Sequence, residues 1–222
     1  MIITIDGPAG AGKSSIARQL AKTLGYQYLD TGAMYRSIAL AGMRHGVDWQ
    51  DTTQLAEVAK SVQIVLDEDR VLLDGEDVSD EIRTMKVTRL TRFAADNLAV
   101  RRELVQQQRK IAHYWNERER GIVCEGRDQG TVAFPDARCK IFLTATDEVR
   151  AERRWQELQT RGESKTLQEV LDAQRQRDRE DSSRPEGALR PAEDAIEVWT
   201  DRLTPDEVLS QLQQIVQNCQ CQ

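Results

Sequence analysis

The stretch from Gly7 to Ser14 combines residue types and a spacing that suit the binding of a polyphosphate. It fits the pattern G-x-x-x-x-G-K-[ST] at every fixed position. Glycines let the backbone turn so tightly that successive amide N–H groups converge on phosphate oxygens at a helix N-terminus. This stretch, called the phosphate loop below, therefore predicts a nucleotide-phosphate site. A glycine-rich turn that binds no ligand is the alternative.

Two side chains at the end of the phosphate loop are expected to help offset the negative charge of the phosphates. We expect Lys13 to bring a mobile cation to the β and γ phosphates and Ser14 to place its hydroxyl on Mg²⁺. Mg²⁺ prefers hard oxygen ligands and keeps several waters, so the bound nucleotide would share the metal. The residues expected to bind the phosphoryl donor are Gly7, Pro8, Ala9, Gly10, Ala11, Gly12, Lys13, Ser14 and Ser15.

The residues on either side of the loop predict the elements that must position it. Residues 2–5 are β-rich and lead to Asp6, which predicts a short strand before the loop. After the loop, Ile16, Leu20 and Leu24 fall at i, i+4 and i+8, which is the apolar stripe of a helix packed on a sheet. Gly25 is expected to end that helix.

Four more short apolar runs, separated by helical stretches, predict further strands at residues 26–29, 122–124, 139–143 and 196–199. Near-continuous apolar strands that alternate with helices are typical of a parallel sheet covered on both faces. We therefore expect an α/β fold with a five-stranded parallel sheet, helices on both faces and ligands at the carboxyl ends of the strands.

One stretch departs from the alternation of strands and helices. Residues 62–66 and 70–78 form two β-rich runs joined by the acidic residues 67–69. Such a pair predicts an antiparallel hairpin, which we expect to project from the core as a small insertion on the substrate side.

Composition excludes several classes of protein. A chain of 222 residues can bury a full core, and the net charge of -6 argues against a general nucleic-acid binder, which needs a basic face. The sequence has no run of apolar residues long enough to cross a membrane, so we expect a cytoplasmic protein. Cys124 and Cys139 lie in apolar runs and are expected to be core residues, whereas Cys219 and Cys221 are expected in an exposed tail.

Three polar segments carry a resemblance to a known family. Asp30–Arg36 fits D-[ST]-G-A-x-Y-R, Gly75–Ser79 fits G-x-D-V-S, and Gly126–Asp136 contains G-R-D-x-G-T-V-x-F-P-D. With the phosphate loop, these segments are similar to those of bacterial cytidylate kinases, and the resemblance runs through most of the chain. It implies transfer of the γ-phosphoryl group of ATP to CMP or dCMP, with Mg²⁺. Separately, we expect a monomer that binds neither nucleic acid nor a membrane.

The same resemblance implies that one kinase domain consists of a core, an acceptor-binding part and a lid. The core would consist of residues 1–35, 100–145 and 165–222, and the acceptor nucleotide would bind to about residues 36–99, with the β insertion near 63–80. A lid would lie at about residues 147–164, where Arg150, Arg153, Arg154 and Arg161 crowd together. Kinases close such segments over ATP to exclude water, and Arg153 is expected to approach the donor phosphates. Alternatively, these arginines form ion pairs with glutamates that are interleaved with them on the same helix.

The family pattern also assigns an acceptor pocket. Arginine suits the task because its planar fork binds phosphate oxygens and stays charged. The implied acceptor-binding residues are Thr31, Tyr35, Arg36, Arg101, Arg127, Asp128, Arg177, Asp181 and Arg184, and the implied catalytic residues are Lys13, Arg36, Arg127, Asp128 and Arg153. Each has an ordinary alternative, such as an exposed helical arginine or a capping aspartate.

Two of these assignments depend on helix geometry. Arg101 is expected to begin the exposed face of a helix through Gln108, from which it would contact the base. Arg177, Asp181 and Arg184 lie at i, i+4 and i+7 and are expected to share one face, with Asp181 accepting from ribose hydroxyls. A solvated helix with weak ion pairs is the alternative for this charged stretch.

One residue departs from the family pattern. Where the family usually has a small hydroxyl residue that contacts the base, this chain has Arg92, with Thr91 beside it. Arg92 would alter base discrimination, unless it points outward and Thr91 takes its place. Kinases for UMP, AMP or a non-nucleotide alcohol, and a slow nucleotide-binding switch, stay open as other functions, although the chain lacks the N-K-x-D segment of guanine-binding switches.

Overall fold

The protein is described here by a computed structural model that covers residues 1–67, 70–118, 120–160 and 162–221. Part of the expected acidic turn, residues 68 and 69, and the lid residue Arg161 lie outside the described residues. The chain divides into two compact units. The first consists of Met1–Tyr28 and Trp115–Gln222, and the second of Leu29–Tyr114.

The first unit contains the parallel sheet, and the strands follow the predicted runs closely. Its strands are β1 (Ile2–Asp6), the start of β2 (Gln27–Asp30), β6 (Ile122–Gly126), β7 (Cys139–Thr144) and β8 (Ile196–Trp199). Its helices are α1 (Lys13–Leu24), α6 (Asp147–Thr160), α7 (Leu167–Ser182) and α8 (Pro205–Cys221), with a π-helical turn at Gln129–Ala133. The predicted five-stranded sheet is confirmed, with the order β2-β6-β1-β7-β8.

The register of the sheet determines which loops leave it together. β1 pairs in parallel with β6 and with β7, so that Asp6 lies opposite Gly126 on one side and Phe142 on the other. The segments that follow β1, β6 and β7 therefore leave the sheet at one edge. This edge carries the phosphate loop and the Arg127-Asp128 segment, as expected for a parallel sheet.

The core of the first unit lies where α1 and α8 pack against the sheet. Ile3 and Leu143 from the strands, Leu20 from α1 and Leu212 from α8 are all buried there. The predicted burial of Cys124 and Cys139 is confirmed. The expectation of an exposed tail at Cys219 is wrong, because α8 continues through Cys221 and its apolar stripe turns Cys219 into the same core.

The second unit is built from helices and a small antiparallel sheet. Its elements are the end of β2, α2 (Thr31–His45), α3 (Thr52–Ser61), β3 (Ile64–Asp67), β4 (Arg70–Leu73), β5 (Glu76–Asp77), a 3₁₀ turn (Glu81–Arg83), α4 (Met85–Asp96) and most of α5 (Leu98–Asn116). The insertion is confirmed as antiparallel, but it has three strands in the order β3-β4-β5. The second predicted run is broken by a turn at Asp74 and Gly75, both with positive φ, and Val62 caps α3 instead of joining a strand.

In the part of the chain that the structure describes, no helix has both the length and the apolar character needed to cross a bilayer.

Candidate active site

The phosphate loop has the backbone conformation that its glycines allow. Gly7, Gly10 and Gly12 have φ values of 149°, 77° and 84°, a region that side chains with a Cβ rarely adopt. A Cβ on Gly7 would lie 2.0 Å from the carbonyl oxygen of Leu143 in β7, whereas a Cβ on Gly12 would meet nothing within 4 Å. Gly7 is therefore required by the neighbouring strand, and Gly12 faces open space at the N-terminus of α1.

Lys13 is the first residue of α1, and its side chain is buried against the loop. Its Nζ donates to the carbonyl oxygen of Pro8 at 2.7 Å. The pKa of the amine is lowered to about 7, mainly by burial and then by the nearby charge of Arg127, while Glu125 opposes both effects. Because Lys13 and Arg127 affect each other electrostatically, the two cations lie in one region of the first unit.

Asp6 connects β1 with the segment after β6. Its carboxylate oxygens accept from the backbone N–H groups of Gln129 and Gly130 at 2.8 and 2.7 Å. The pKa of Asp6 is raised to about 7, mainly by burial and also by the nearby Asp128, while the two N–H donors oppose the shift. The carboxyl group therefore anchors the π-helical turn beside the phosphate loop.

Asp181 is the centre of an arginine cluster in the first unit. Its Oδ2 accepts from Arg127 Nε at 3.0 Å, its Oδ1 lies 2.6 Å from an Arg184 nitrogen, and Arg177 Nε lies 3.9 Å away. Burial raises the pKa of Asp181, but the charges of these three arginines outweigh burial and hold it below its usual range. The predicted grouping of Arg177, Asp181 and Arg184 is thus present.

The reason given for that grouping is wrong for Arg184. Helix α7 ends at Ser182 and Ser183 caps it, so Arg184 does not lie on the helix face at i+7. The chain instead turns after the cap and returns the guanidinium to the carboxylate of Asp181. Helix periodicity therefore accounts for the neighbour Arg177 of Asp181, at i and i+4, and not for Arg184.

Two of the predicted donor residues lie at the surface of the first unit. Ser14 and Ser15 are exposed on the first turn of α1, and Ser15 Oγ donates to the carbonyl oxygen of Gly12 at 3.0 Å. Asp128 is buried, directly after Arg127.

Among the residues that the structure describes, no three His, Cys, Asp or Glu side chains form a metal cluster. The exposed hydroxyl of Ser14 is a hard oxygen ligand, which is the type that Mg²⁺ prefers when it is held mainly by phosphates and water.

The arginines of the expected lid occupy helix α6 and have different partners. Arg153 donates to the hydroxyl and carbonyl oxygens of Thr200, at 2.9 and 2.7 Å, so its contact with donor phosphates stays a prediction. Arg154 pairs with Glu157 on the same helix at 2.8 Å. The sequence assigns no separate role to Arg150 within this group of arginines. In the structure, Arg150 donates to the carbonyl oxygen of Ala9 in the phosphate loop at 2.7 Å.

The predicted acceptor residues of the second unit cluster at the start of α2. Asp30 caps this helix by accepting from the N–H of Ala33 at 2.7 Å, and its other oxygen lies 3.1 Å from an Arg36 nitrogen. Thr31 and Tyr35 are buried in the first turns of the helix. The cap thus orients the guanidinium of Arg36, about a quarter of whose side chain is exposed.

Two expectations about α4 and α5 are resolved by burial. Arg101 does not begin an exposed face, because its residue is only 3% exposed. Its guanidinium lies 5.8 Å from the centre of the Tyr35 ring, and it donates to the carbonyl oxygen of Ala95 at 3.1 Å. Arg92 is exposed, with its guanidinium over the Phe93 ring at 4.8 Å, which supports the outward alternative for this residue.

Thr91 does not replace Arg92 as a free hydroxyl. Its Oγ1 donates to the carbonyl oxygen of Val87 within α4 at 2.8 Å. An acceptor lone pair of the hydroxyl is still available, because a serine or threonine oxygen can accept while it donates.

Comparisons with known proteins agree with the motifs. The family model described as cytidylate kinase matches residues 3–218. A cytidylate kinase from Rhodopirellula baltica is 52% identical over 219 residues, 99% of this chain and 93% of the relative. A cytidylate kinase from Mycobacterium leprae is 45% identical over 216 residues, 97% and 95% of the two chains.

A solved structure supports the fold alone. The crystal structure of an uncharacterized protein from Eubacterium ventriosum matches with a TM-score of 0.53 at 13% identity, over 98% of each chain. The activity therefore has to be argued from the closer relatives and from the site. By its motifs and by the match over nearly its full length, the chain belongs to the cytidylate kinase family.

Proposed function

We propose that the protein transfers the γ-phosphoryl group of ATP to CMP or dCMP, giving ADP and CDP or dCDP, by in-line displacement with Mg²⁺. The proposal rests on the family to which the chain belongs and on the phosphate loop with its buried Lys13. Phosphoryl transfer asks the protein mainly to hold two polyanions in line and to compensate their charge, which is what such a set of cations can do.

The observation that carries the proposal is the proximity of like charges in the first unit. Arg127 lowers the pKa of Lys13, and Arg177 also contributes, so three cations lie within electrostatic range of one another. Holding like charges together costs free energy in a protein without a ligand, and carboxylates that include Glu125 and Asp181 offset part of that charge. A site for two phosphate groups accounts for the arrangement.

On the donor side, we propose that the N–H groups of the phosphate loop and the amine of Lys13 bind the phosphates of ATP. Gly12 leaves open space at the N-terminus of α1, where a helix dipole favours negative charge. The exposed hydroxyl of Ser14 would hold Mg²⁺, which offsets charge on the phosphate oxygens when it is bound. Arg153 would approach the donor phosphates after releasing Thr200.

On the acceptor side, we propose roles on the family pattern. Arg127 and Arg36 would bind the acceptor phosphate, and Asp128 would accept from the cytosine side. The remaining acceptor-binding residues would be Thr31, Tyr35, Arg101, Arg177, Asp181 and Arg184. The buried guanidinium of Arg101 is supported on the Tyr35 ring, so Arg101 would act from inside the second unit and not from an exposed face.

The reaction can be tested by identifying its products. ATP, Mg²⁺ and CMP are incubated with the protein, and the nucleotides are separated by anion-exchange chromatography. We expect ADP and CDP in equal amounts, dependent on both CMP and Mg²⁺, and a loss of at least about a hundredfold in kcat for Lys13→Met. Hydrolysis of ATP to ADP and phosphate without CDP would favour the slow switch instead.

A further inference from the structure

Helix α7 carries a stripe of buried polar side chains that the proposed reaction does not fully use. Gln174, Asp178 and Asp181 lie at i, i+4 and i+7, which places them on one side of the helix. Gln174 and Asp181 are 7% and 4% exposed, and the side chain of Asp178 is 17% exposed, on a helix whose other polar residues are mostly in solvent. Burying polar groups costs free energy unless they are paired, so their partners are informative.

The partners of Gln174 and Asp178 lie in and around the phosphate loop. The Gln174 Nε2 atom donates to the carbonyl oxygen of Ala9 at 3.3 Å. A nitrogen of Arg150, in α6, donates to the same oxygen at 2.7 Å. That nitrogen also lies 2.6 Å from a carboxylate oxygen of Asp178. The Ala9 carbonyl therefore has two donors, one of which forms an ion pair with Asp178.

This arrangement determines the direction of the next peptide group. The described peptide bonds include no cis bond, and in a planar trans peptide the C=O and the following N–H point in opposite directions. Since the Ala9 oxygen is held toward α6 and α7, the N–H of Gly10 points away from these helices. Gly10 is held closely as well, because a Cβ there would lie 2.4 Å from Gln174 Nε2.

We propose that Gln174 and Asp178 are positioning residues for the phosphoryl donor. Gln174 acts directly on Ala9, and Asp178 acts through Arg150; together they fix the peptide between Ala9 and Gly10 so that its N–H is available to a donor phosphate. The inference rests on the proposed function, because it assigns these residues to the loop that binds ATP. One end of the stripe on α7 thus supports the donor loop, and Asp181 at the other end organises the acceptor arginines.

The charge balance around Arg150 supports this assignment. The residue is 3% exposed, and its guanidinium is shared between Asp147 at 2.5 Å, Asp178 at 2.6 Å and the Ala9 oxygen. A buried guanidinium that served only to stabilise the fold could be satisfied by the two carboxylates. Its additional hydrogen bond to the Ala9 oxygen, at 2.7 Å, ties it to the loop that is proposed to bind phosphate.

The test is the affinity for ATP of Gln174→Glu, a change of nearly equal shape that replaces the donor amide by a carboxylate facing the Ala9 oxygen. Gln176→Glu is the matched control, because Gln176 makes its contacts with Glu180 and Arg179 on the exposed face of α7. ATP and CMP are titrated separately into each folded variant by isothermal calorimetry. We expect Gln174→Glu to weaken ATP binding about tenfold against the control, and CMP binding by less than about twofold.

Two further variants keep the test decisive. Gln174→Met removes the donor without adding charge, so if Gln174→Glu fails to fold, a selective loss of ATP affinity of about threefold in Gln174→Met supports the proposal. Asp178→Asn is expected to weaken ATP binding in the same selective way. Equal ATP affinities in the Gln174 variants and the control, or an equal weakening of ATP and CMP, would overturn the positioning role. Absence of CDP formation by the unaltered protein would instead contradict the proposed function and leave the ATP comparison intact.

Discussion

The amine of Lys13 is buried and lies near other cations. Its protonation state therefore depends on whether a charged ligand is bound beside it. Without a ligand, burial and Arg127 lower the pKa of Lys13 to about 7. A triphosphate next to the amine has the opposite effect, because a neighbouring negative charge favours the protonated form. The free protein holds a partly neutral lysine near neutral pH, whereas the complex holds a charged one.

Proton uptake on ATP binding follows from this difference. At about pH 8 the free amine is mostly neutral and the triphosphate is fully ionised, so we expect binding to take up a proton. Affinity should fall as pH rises above 7, by up to about tenfold per unit. Calorimetry in buffers of different ionisation enthalpy measures the uptake, and Lys13→Met should abolish it. The same binding enthalpy in every buffer would contradict this role for Lys13.

Asp181 acts on the site through the arginines that it pairs with. Its two oxygens contact Arg127 and Arg184, and charge-assisted contacts of this kind are stronger than those of a neutral amide of the same shape. In the proposed reaction, the carboxylate would therefore position the arginines for the acceptor phosphate as well as accept from the ribose.

Asp181→Asn should consequently impair the acceptor far more than the donor. We expect the KM for CMP to rise by about 10- to 100-fold and the KM for ATP to change by less than about threefold, as initial-rate kinetics would measure. Asp172→Asn is the matched control on the same helix, since Asp172 is exposed and accepts a hydrogen bond from Gln168 at 3.0 Å. Parallel changes in both KM values, or none, would return Asp181 to a structural role.

At the scale of elements, the phosphate loop depends on different glycines for different reasons. Gly7 lies against β7, where any Cβ would collide with the Leu143 carbonyl, a backbone atom that cannot move without disturbing the sheet. Gly12 has a positive φ but no neighbour within 4 Å of a Cβ. Sheet packing therefore constrains the first glycine, and backbone conformation alone constrains the last.

Replacing each glycine by alanine should separate these two constraints. We expect Gly7→Ala to lower the free energy of unfolding by more than about 2 kcal/mol, because strain and a backbone clash combine there. Gly12→Ala should lower it by about 1 kcal/mol through conformational strain alone. Urea denaturation measures both values, and equal midpoints for the two variants would show that the contact with β7 does not matter.

The elements themselves were largely predictable, and the exceptions have local causes. Continuous apolar runs determined the five strands, because a strand covered on both sides leaves little room for polar residues. The end of α7 had a signal that the periodicity argument did not use, because the proline at 185 disfavours a helical conformation for Arg184. Arg101 was assigned to an exposed face because arginine is rarely buried, and its partners Tyr35 and Ala95 come from other parts of the second unit.

At the scale of the whole molecule, the chain consists of two compact units, and each holds part of the proposed machinery. The first contains the phosphate loop, Lys13 and the arginines around Asp181, and the second contains Arg36 and Arg101. Motifs could predict these residues because each is fixed by local chemistry. They could not predict that Arg150 supports the loop, since that contact joins residues separated by 141 positions in the chain.

The central claim is that the molecule chooses a cytosine nucleotide as its phosphoryl acceptor. The most direct test compares kcat/KM for CMP, dCMP, UMP and AMP at saturating ATP and Mg²⁺, with the same preparation and a shared readout of ADP formation. We predict that CMP or dCMP is preferred over UMP and AMP by at least about tenfold. If UMP or AMP were phosphorylated as efficiently as CMP and dCMP, the cytidylate assignment would be contradicted.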